Sequence, residues 1–399
     1  MNIAILNHYA SIPEMGSAET RHFELAKRFV SEGYNVDIYV GDFSHLLKKR
    51  WSEVYGWRFS KEGINFLVVK TRTYRKNSFD RFLSSYDYYR NGKHLILKGD
   101  YDVIIASSPH PFSWSLGWYY VKKKGKGKFF IEIRDVWPDD LLKFGSLSSF
   151  HPVAKLFDLM CRKYYPKADG LILLLPDLSK HFKRLKIQPR KHIFIPNGID
   201  VKQFENPKRC VTVDDIFSKI PQGRVKVVYA GSIAPHKGIK EFLQTLKKVP
   251  KDLRNKFSFL FIGPSQPNYL EELKVISKDL SNVFFFDPVP KICVPYLLQK
   301  ADFLLFTLSS AEMNDPAVSS YKVLDYMASG KPVLCVDIEG LPFKKTGGAI
   351  FFNKKNLTET LRTLLERDFS HLGLKNREFV EQERSWDPLY KKLKDFLFS

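Results

Sequence analysis

An apolar run of strand length, a loop containing glycine, an amphipathic helix and a second apolar run follow one another twice in this chain. NIAILNH (Asn2 to His8) leads through YASIPEMGSA, which holds Gly16, into ETRHFELAKRFVSEG and then YNVDIYV. In that helix Phe23, Ala26, Phe29 and Val30 fall on one face. RVKVVYAGSI (Arg224 to Ile233) begins the same order of elements again. A strand, a helix and a second strand in this order form a parallel βαβ unit, and its crossover is right-handed. Further strands are expected at DVIIASS, KFFIEIRD, GLILLL and HIFIPN in the first half. In the second half they are expected at FSFLFIG, NVFFFD, DFLLFTL and PVLCV. The chain therefore reads as α/β, with two Rossmann-like, doubly wound domains that face a central cleft. The expected boundaries are 1–203 and 204–375, with the polar VKQFENPKRC as linker. A last segment, 376–399, is expected to be helical and to pack back on the first domain.

The 399 residues are 44% hydrophobic, enough for two cores. Four cysteines (Cys161, Cys210, Cys293, Cys335) are scattered with no spacing that suggests a metal site or a disulfide framework, which fits a reducing cytoplasm. No run approaches the roughly 20 apolar residues needed to cross a bilayer. The N-terminus starts a strand at once, with no basic leader ahead of it. Lys and Arg number 64 against 43 Asp and Glu, a net charge of +21. Such a field favours nucleic acid, an anionic membrane face or phosphorylated substrates, and composition does not choose among them.

Two stretches of the second domain carry polar residues where ligands gather. In SSYKVLDYMASGKPVLCV, Ser319 or Ser320 can cap a helix whose apolar stripe is Val323, Leu324 and Met327, and Gly330 with Pro332 ends it. Lys322 and Asp325, three apart, share the face toward the helix N-terminus. A surface ion pair explains them equally well on this stretch alone. The second stretch, Gly231-Ser232-Ile233-Ala234-Pro235-His236-Lys237-Gly238, lies between a strand and a helix, where backbone N–H groups and Lys237 suit an anion. It is neither a P-loop nor a G-x-G-x-x-G fingerprint. Both stretches precede helices of one sheet, so their ends should converge on a diphosphate, with Asp325 one turn in to bind a ribose diol.

Residues 2–42, 101–140, 193–200 and 226–340 resemble the family-4 glycosyltransferases, retaining enzymes of the two-domain GT-B fold. The matching pieces are the glycine loop with Gly16 and Arg21, IPNGID, YAGSIAPHKG, FIGP, PVPKICVPYLLQKADFLLF and YKVLDYMASGKPVL. IRDVWPDDLLKFG and SSYKVLDYMASGKP are similar to a subgroup acting on bacterial surface polysaccharides of the O-antigen, capsule and colanic-acid type. Its members add sugars, often N-acetylated amino sugars, to lipid-linked acceptors.

The resemblance implies a nucleotide-sugar donor, uridine being favoured, on Gly231, Ser232, Lys237, Gly263, Val289, Ala317, Val318, Ser319, Ser320, Lys322 and Asp325. It implies Gly16, Arg134, Asp135 and Lys237 at the transfer centre, and Glu19, Arg21, His110 and Asp139 for the acceptor. Three positions depart from the pattern. Ala317 stands where the first acid of the Glu-x7-Glu motif falls, Ser232 where an arginine is frequent, and Arg134 where a histidine is usual. No cofactor and no metal are expected, since basic residues and helix termini hold the leaving diphosphate in GT-B enzymes. Asp139 and Asp140 read as a helix cap or as hydroxyl ligands more readily than as a metal site.

The partners implied are a polyprenyl-diphosphate-linked saccharide and an anionic membrane surface at the inner, cytoplasmic face. Lys70 to Leu97 and VKKKGKGK would meet the lipid, with Phe79, Phe82 and Tyr86 toward acyl chains. Nucleic acid is not expected, as no recognition helix, RNP motif or zinc module is present. Two rival readings stand beside this one: a basic, non-enzymatic nucleic-acid or membrane-surface binder, and another GT-B enzyme such as an epimerase.

Overall fold

The computed structural model describes the chain apart from residues 14–19, 45–47, 75–78, 140–141, 143–150, 310–320 and 340. It divides into two compact units, Met1–Asn197 with Trp386–Ser399, and Gly198–Ser385. The chain thus returns to the first unit at Trp386, and residues 376–385 stay with the second.

The first unit is built on an eight-stranded sheet. Its strands are β1 (Asn2–Leu6), β2 (Asn35–Gly41), β3 (Arg58–Lys61), β4 (Ile64–Val69), β5 (Val103–Ser107), β6 (Lys128–Ile133), β7 (Gly170–Leu173) and β8 (His192–Phe194). The spatial order is β3-β4-β2-β1-β5-β6-β7-β8, parallel throughout except for the β3–β4 hairpin. Side chains alternate across the sheet, so Ile3 and Ile5 enter one core while Ala4 and Leu6 enter the other. Both faces are covered, which is why these strands read as unbroken apolar runs. The helix Trp386–Phe398 joins the first of those cores through Trp386, Leu389, Leu393 and Leu397, and the Tyr390 ring stands edge-on to Phe29 with centroids 4.8 Å apart.

The second unit holds an all-parallel six-stranded sheet of β9 (Val225–Ala230), β10 (Phe257–Ile262), β11 (Val283–Phe286), β12 (Phe303–Phe306), β13 (Val333–Val336) and β14 (Ala349–Phe352). The order is β11-β10-β9-β12-β13-β14. Winding reverses between β9 and β12 here, and between β1 and β5 in the first unit. At such switch points the loops after the two strands diverge and leave a crevice for ligand. The helix Tyr321–Ala328 buries Val323, Leu324 and Met327 as the sequence pattern implies, together with Tyr326 and Ala328, and Gly330 follows it with φ +68°. The expected caps, Ser319 and Ser320, lie outside the described residues.

One cysteine expectation is overturned. Cys210 and Cys293, 83 residues apart, form a disulfide. Cys210 precedes the helix Val211–Ser218 and Cys293 ends the 3-10 turn Lys291–Cys293, and the packing of the two segments joins them. No sequence spacing announces a pair that tertiary packing creates. Cys161 and Cys335 are free and buried. Among the described residues no helix is long and apolar enough to cross a membrane.

Candidate functional site

At the β9/β12 switch point the decisive group is Lys322. The residue is half-buried, but its Nζ is buried and has no hydrogen-bond partner among the described residues. The ammonium instead lies between two aromatic rings, 4.1 Å from the Tyr229 centroid and 4.8 Å from that of Phe306. Burial, and then the like charge of Lys237, lower its pKa to about 7. Gly231 makes room for it, since a Cβ there would meet Lys322 Cδ at 3.0 Å.

Lys237 ends the turn Pro235–Lys237, which Gly238 (φ +71°) hands on to the helix Ile239–Leu246. The segment after β12 holds this loop in place. Thr307 Oγ1 donates to the Lys237 carbonyl at 2.7 Å, and Ser309 N to the His236 carbonyl at 3.2 Å. Ser232 is exposed, and its carbonyl accepts the Tyr229 hydroxyl at 2.8 Å. Gly263 has to be glycine because a Cβ there would strike the carbonyl of Gly231, where the loops after β9 and β10 cross.

Asp325 does not pair with Lys322. It is 8% exposed, and its Oδ2 takes an ion pair from Lys291. Burial raises the Asp325 pKa, while the Lys291 charge acts against the rise. The surface-pair reading of Lys322 and Asp325 therefore fails: one is a buried amine among rings, the other a buried carboxyl with a different partner. Lys291 was not singled out from the sequence, and its place in PVPKICVPY is the only signal it carries there. Val289, two residues earlier, is half-buried and packs against the core of the second unit. Ala317, Val318, Ser319 and Ser320 lie outside the described residues.

In the first unit the ends of β1, β5 and β6 bring His8, Ser108, His110, Arg134 and Asp135 into one neighbourhood. Ser108 Oγ accepts the backbone N–H groups of Arg134 (2.8 Å) and Asp135 (3.2 Å), which sets the chain direction after β6. Asp135 is exposed and Arg134 half-buried.

His110, an expected acceptor ligand, is 1% exposed and its Nε2 meets His8 Nδ1 at 2.9 Å. His8 stacks on Tyr9 and Tyr88 with centroids 4.5 and 5.0 Å away. Burial, reinforced by Arg81, lowers the His8 pKa to about 3, and burial also holds His110 well below the usual imidazole range. The pair is thus neutral and internal. Sequence reasoning missed His8. It also placed Arg81 in a lipid-facing stretch, although its guanidinium lies over the rings of Tyr9 (5.6 Å) and Trp137 (5.8 Å).

Arg21 is corrected more sharply. It is fully buried, donating from Nε to Glu132 Oε1 (2.8 Å), from Nη1 to the Pro196 carbonyl (2.6 Å) and from Nη2 to the Ile195 carbonyl (2.9 Å). Glu132 also takes His22 Nε2 at 2.7 Å and the Ser107 hydroxyl at 2.6 Å. Burial pushes the Glu132 pKa up, but Arg21 and His22 overcome this and hold it well below the usual carboxylate range. The arginine therefore anchors the helix Arg21–Ser31 beneath the strand ends rather than facing a ligand.

Asp139 is likewise engaged. Its Oδ2 lies 3.0 Å from His181 Nδ1 and its Oδ1 2.5 Å from Arg184 Nη2. Burial raises its pKa, but these two partners bring it below the ordinary value. Asp139 braces the helix Ser179–Leu185 rather than standing open to acceptor hydroxyls. Gly16 and Glu19 lie outside the described residues, as does Asp140. Among the described residues no three metal-type side chains gather.

Comparison with known proteins gives this geometry its family. Residues 18–203 match the model of Glycosyltransferase Family 4, and residues 224–367 that of Glycosyl transferases group 1. The chain is a family 4-like glycosyltransferase. Solved structures share its fold over nearly their whole length. Sucrose-phosphate synthase from Thermosynechococcus elongatus superposes with TM-score 0.69 at 15% identity, covering 99% of this chain and 97% of its own. Anabaena Alr3699/HepE in complex with UDP does so with TM-score 0.69 at 13% identity, covering all of both chains. WaaG, a glycosyltransferase involved in lipopolysaccharide biosynthesis, gives TM-score 0.66 at 16% identity over 99% of each chain. No curated protein matches this glycosyltransferase. Its GT-B fold stands on these neighbours, and the two family models count against the non-enzymatic binder reading.

Proposed function

We propose that this glycosyltransferase moves a sugar, with retention of configuration, from a UDP-sugar to a polyprenyl-diphosphate-linked saccharide in surface polysaccharide synthesis. The sugar in this reading is a hexose or an N-acetylated amino sugar. The observation that carries the donor half is Lys322, a buried amine with no hydrogen-bond partner among the described residues at a switch point, with Lys237 beside it. A diphosphate supplies the missing negative charge. The UDP complexes of the Anabaena neighbour agree with a uridine donor.

Catalysis in this reading is leaving-group stabilisation. Lys237 and Lys322 neutralise charge that grows on the diphosphate as the glycosidic bond breaks, a task that fixed cations perform without a metal. Asp325 exchanges Lys291 for, or shares it with, the ribose diol. On the acceptor half, Arg134 and Asp135 are the exposed or half-exposed groups at the strand ends, suited to a phosphate and a hydroxyl respectively.

Docking on an anionic bilayer at the inner membrane face is supported by the outer helices of the first unit. A cavity of about 560 Å³ there is lined by Trp118, Arg162, Lys163, Pro166, Lys167 and Arg190, with four cations and no carboxylate. Leu159 on the helix Pro152–Tyr164 is 64% exposed, and Phe79 is 68% exposed. Cations around protruding apolar side chains are the composition of an interfacial surface. Phe82, expected to face lipid, packs instead on Phe112 and Phe157.

Calorimetric binding of UDP, GDP and ADP in EDTA, to wild type and Lys237→Ala, tests the donor half. UDP should bind, and the variant should bind it at least tenfold more weakly, as expected for a lost charge-assisted contact. Equal binding by the two proteins, or none by either, would remove the diphosphate site from this loop.

A further inference from the structure

We propose that the donor's diphosphate enters the second-unit site together with one proton from solvent, which Lys322 takes up. The inference rests on the donor reading above and adds how the site becomes charged.

The geometry leaves Lys322 poorly provided for as a cation. Around its buried Nζ, β9 contributes the Tyr229 ring and β12 the Phe306 ring. From β13 comes Cys335, a thiol that burial keeps protonated, and the glycine loop brings Lys237, which carries the same sign. Tyr229 is also held in its neutral form by burial, with its hydroxyl turned to the Ser232 carbonyl. On its own helix the acid one turn further, Asp325, is committed to Lys291, and the Tyr326 hydroxyl accepts from Ala230 N at 2.8 Å. Two ring faces are the whole of its compensation among these groups. Two such contacts offset only part of the cost of burying an ammonium. Loss of the proton relieves the imbalance, in line with its lowered pKa of about 7.

A diphosphate arriving between Lys322 and Lys237 reverses this. It brings at least two negative charges within reach of Nζ, and the ammonium form then becomes the stable one, with a pKa at or above the ordinary value of about 10.4. The step balances simply. The neutral amine, one solvent proton and the diphosphate become an ammonium–diphosphate pair, and no bond to carbon or phosphorus changes.

The linkage is quantitative. With the empty-site value at about 7, binding should take up about 0.1 proton at pH 6, about 0.5 at pH 7 and about 0.9 at pH 8. Apparent affinity should then fall roughly tenfold for each further pH unit. An arginine at this position stays charged at every working pH and would show none of this.

The test is calorimetric titration of UDP at pH 8 in EDTA, in phosphate and in Tris buffer, whose ionisation enthalpies differ widely. UDP is already fully ionised there, since a terminal phosphate titrates near pH 6. For wild type the apparent enthalpy should differ between buffers by about 0.9 of their ionisation-enthalpy difference. Lys322→Arg should bind UDP with an enthalpy independent of buffer. His236, exposed on the same loop, is present in both proteins, so uptake that persists in Lys322→Arg assigns the proton elsewhere and overturns the proposal. Should that variant fail to fold, the wild-type pair of buffers decides alone: buffer-independent binding overturns the inference and leaves the donor reading standing. Absence of any UDP, GDP or ADP binding by wild type overturns the donor reading, and this inference with it.

Discussion

Replacing Arg21 by methionine separates a structural arginine from one that touches acceptor. The side chain is fully buried and makes three hydrogen bonds, one of them to the buried carboxylate of Glu132. Removing one partner of a buried ion pair costs roughly 3–5 kcal/mol. The orphaned carbonyls of Ile195 and Pro196 add about 1 kcal/mol each at the low end. A loss of about 5 kcal/mol is a large part of the 5–15 kcal/mol by which domains are stable. The assay is urea unfolding followed by tryptophan fluorescence. All six tryptophans, Trp51, Trp57, Trp114, Trp118, Trp137 and Trp386, belong to the first unit, so the signal reports that unit alone.

The pH dependence adds a signature that simple loss of packing lacks. In wild type the Glu132 pKa is depressed. Its contribution is therefore present above the unfolded carboxylate value and is lost only as pH falls toward the lower folded value, leaving little change between pH 7.5 and 5.5. Without Arg21, burial dominates and pulls Glu132 up, so protonation on acidification recovers stability and the variant's deficit should narrow over that range. Adding Glu132→Gln to Arg21→Met should likewise recover part of the loss, because the buried charge is gone. Arg21→Met unfolding within about 1 kcal/mol of wild type, with a raised acceptor KM, would refute the reasoning and restore Arg21 to the acceptor site.

Three further outcomes are expected. Gly263→Ala should lower the thermal midpoint by several degrees and abolish UDP binding, because its Cβ strikes the Gly231 carbonyl and moves the loop that carries Lys237; differential scanning calorimetry with and without UDP reads both effects. Reduction of Cys210–Cys293 should destabilise the second unit by up to about 4.5 kcal/mol, from the entropy of opening an 83-residue loop. Far-UV circular dichroism should then develop a transition at lower urea in dithiothreitol, while the tryptophan signal of the first unit keeps its midpoint. Leu159→Glu should reduce sedimentation with vesicles containing phosphatidylglycerol at least fivefold, without altering UDP affinity, and unchanged sedimentation would free the outer helices of any docking role.

The glycine-loop elements were legible because their signals are local. Strand periodicity, Gly231 ahead of a helix, and Lys237 at its start are written within a dozen residues, and the expectation of two doubly wound α/β domains follows from two such units in series. Glu132 was legible in principle too, as the one acid inside the buried run KFFIEI, but a buried acid announces only that it has a partner and does not name it. The pairings themselves were not legible. Lys322 and Asp325 look like partners at helical spacing, yet the chain crossing at PVPKICVPY delivers Lys291 to Asp325 and leaves Lys322 between two rings.

Sequence alone established the α/β class, the two sheets and the loops at their strand ends, because backbone propensity and hydrophobic period act between near neighbours. The tertiary arrangement settled which charges are consumed internally. Arg21 and Glu132 are 111 residues apart, Cys210 and Cys293 83, and Lys291 and Asp325 34. Such contacts depend on strand order and helix packing across the whole unit, and burial then decides how each charge behaves, since the same lysine is an ordinary cation in water and a reluctant one between two aromatic rings.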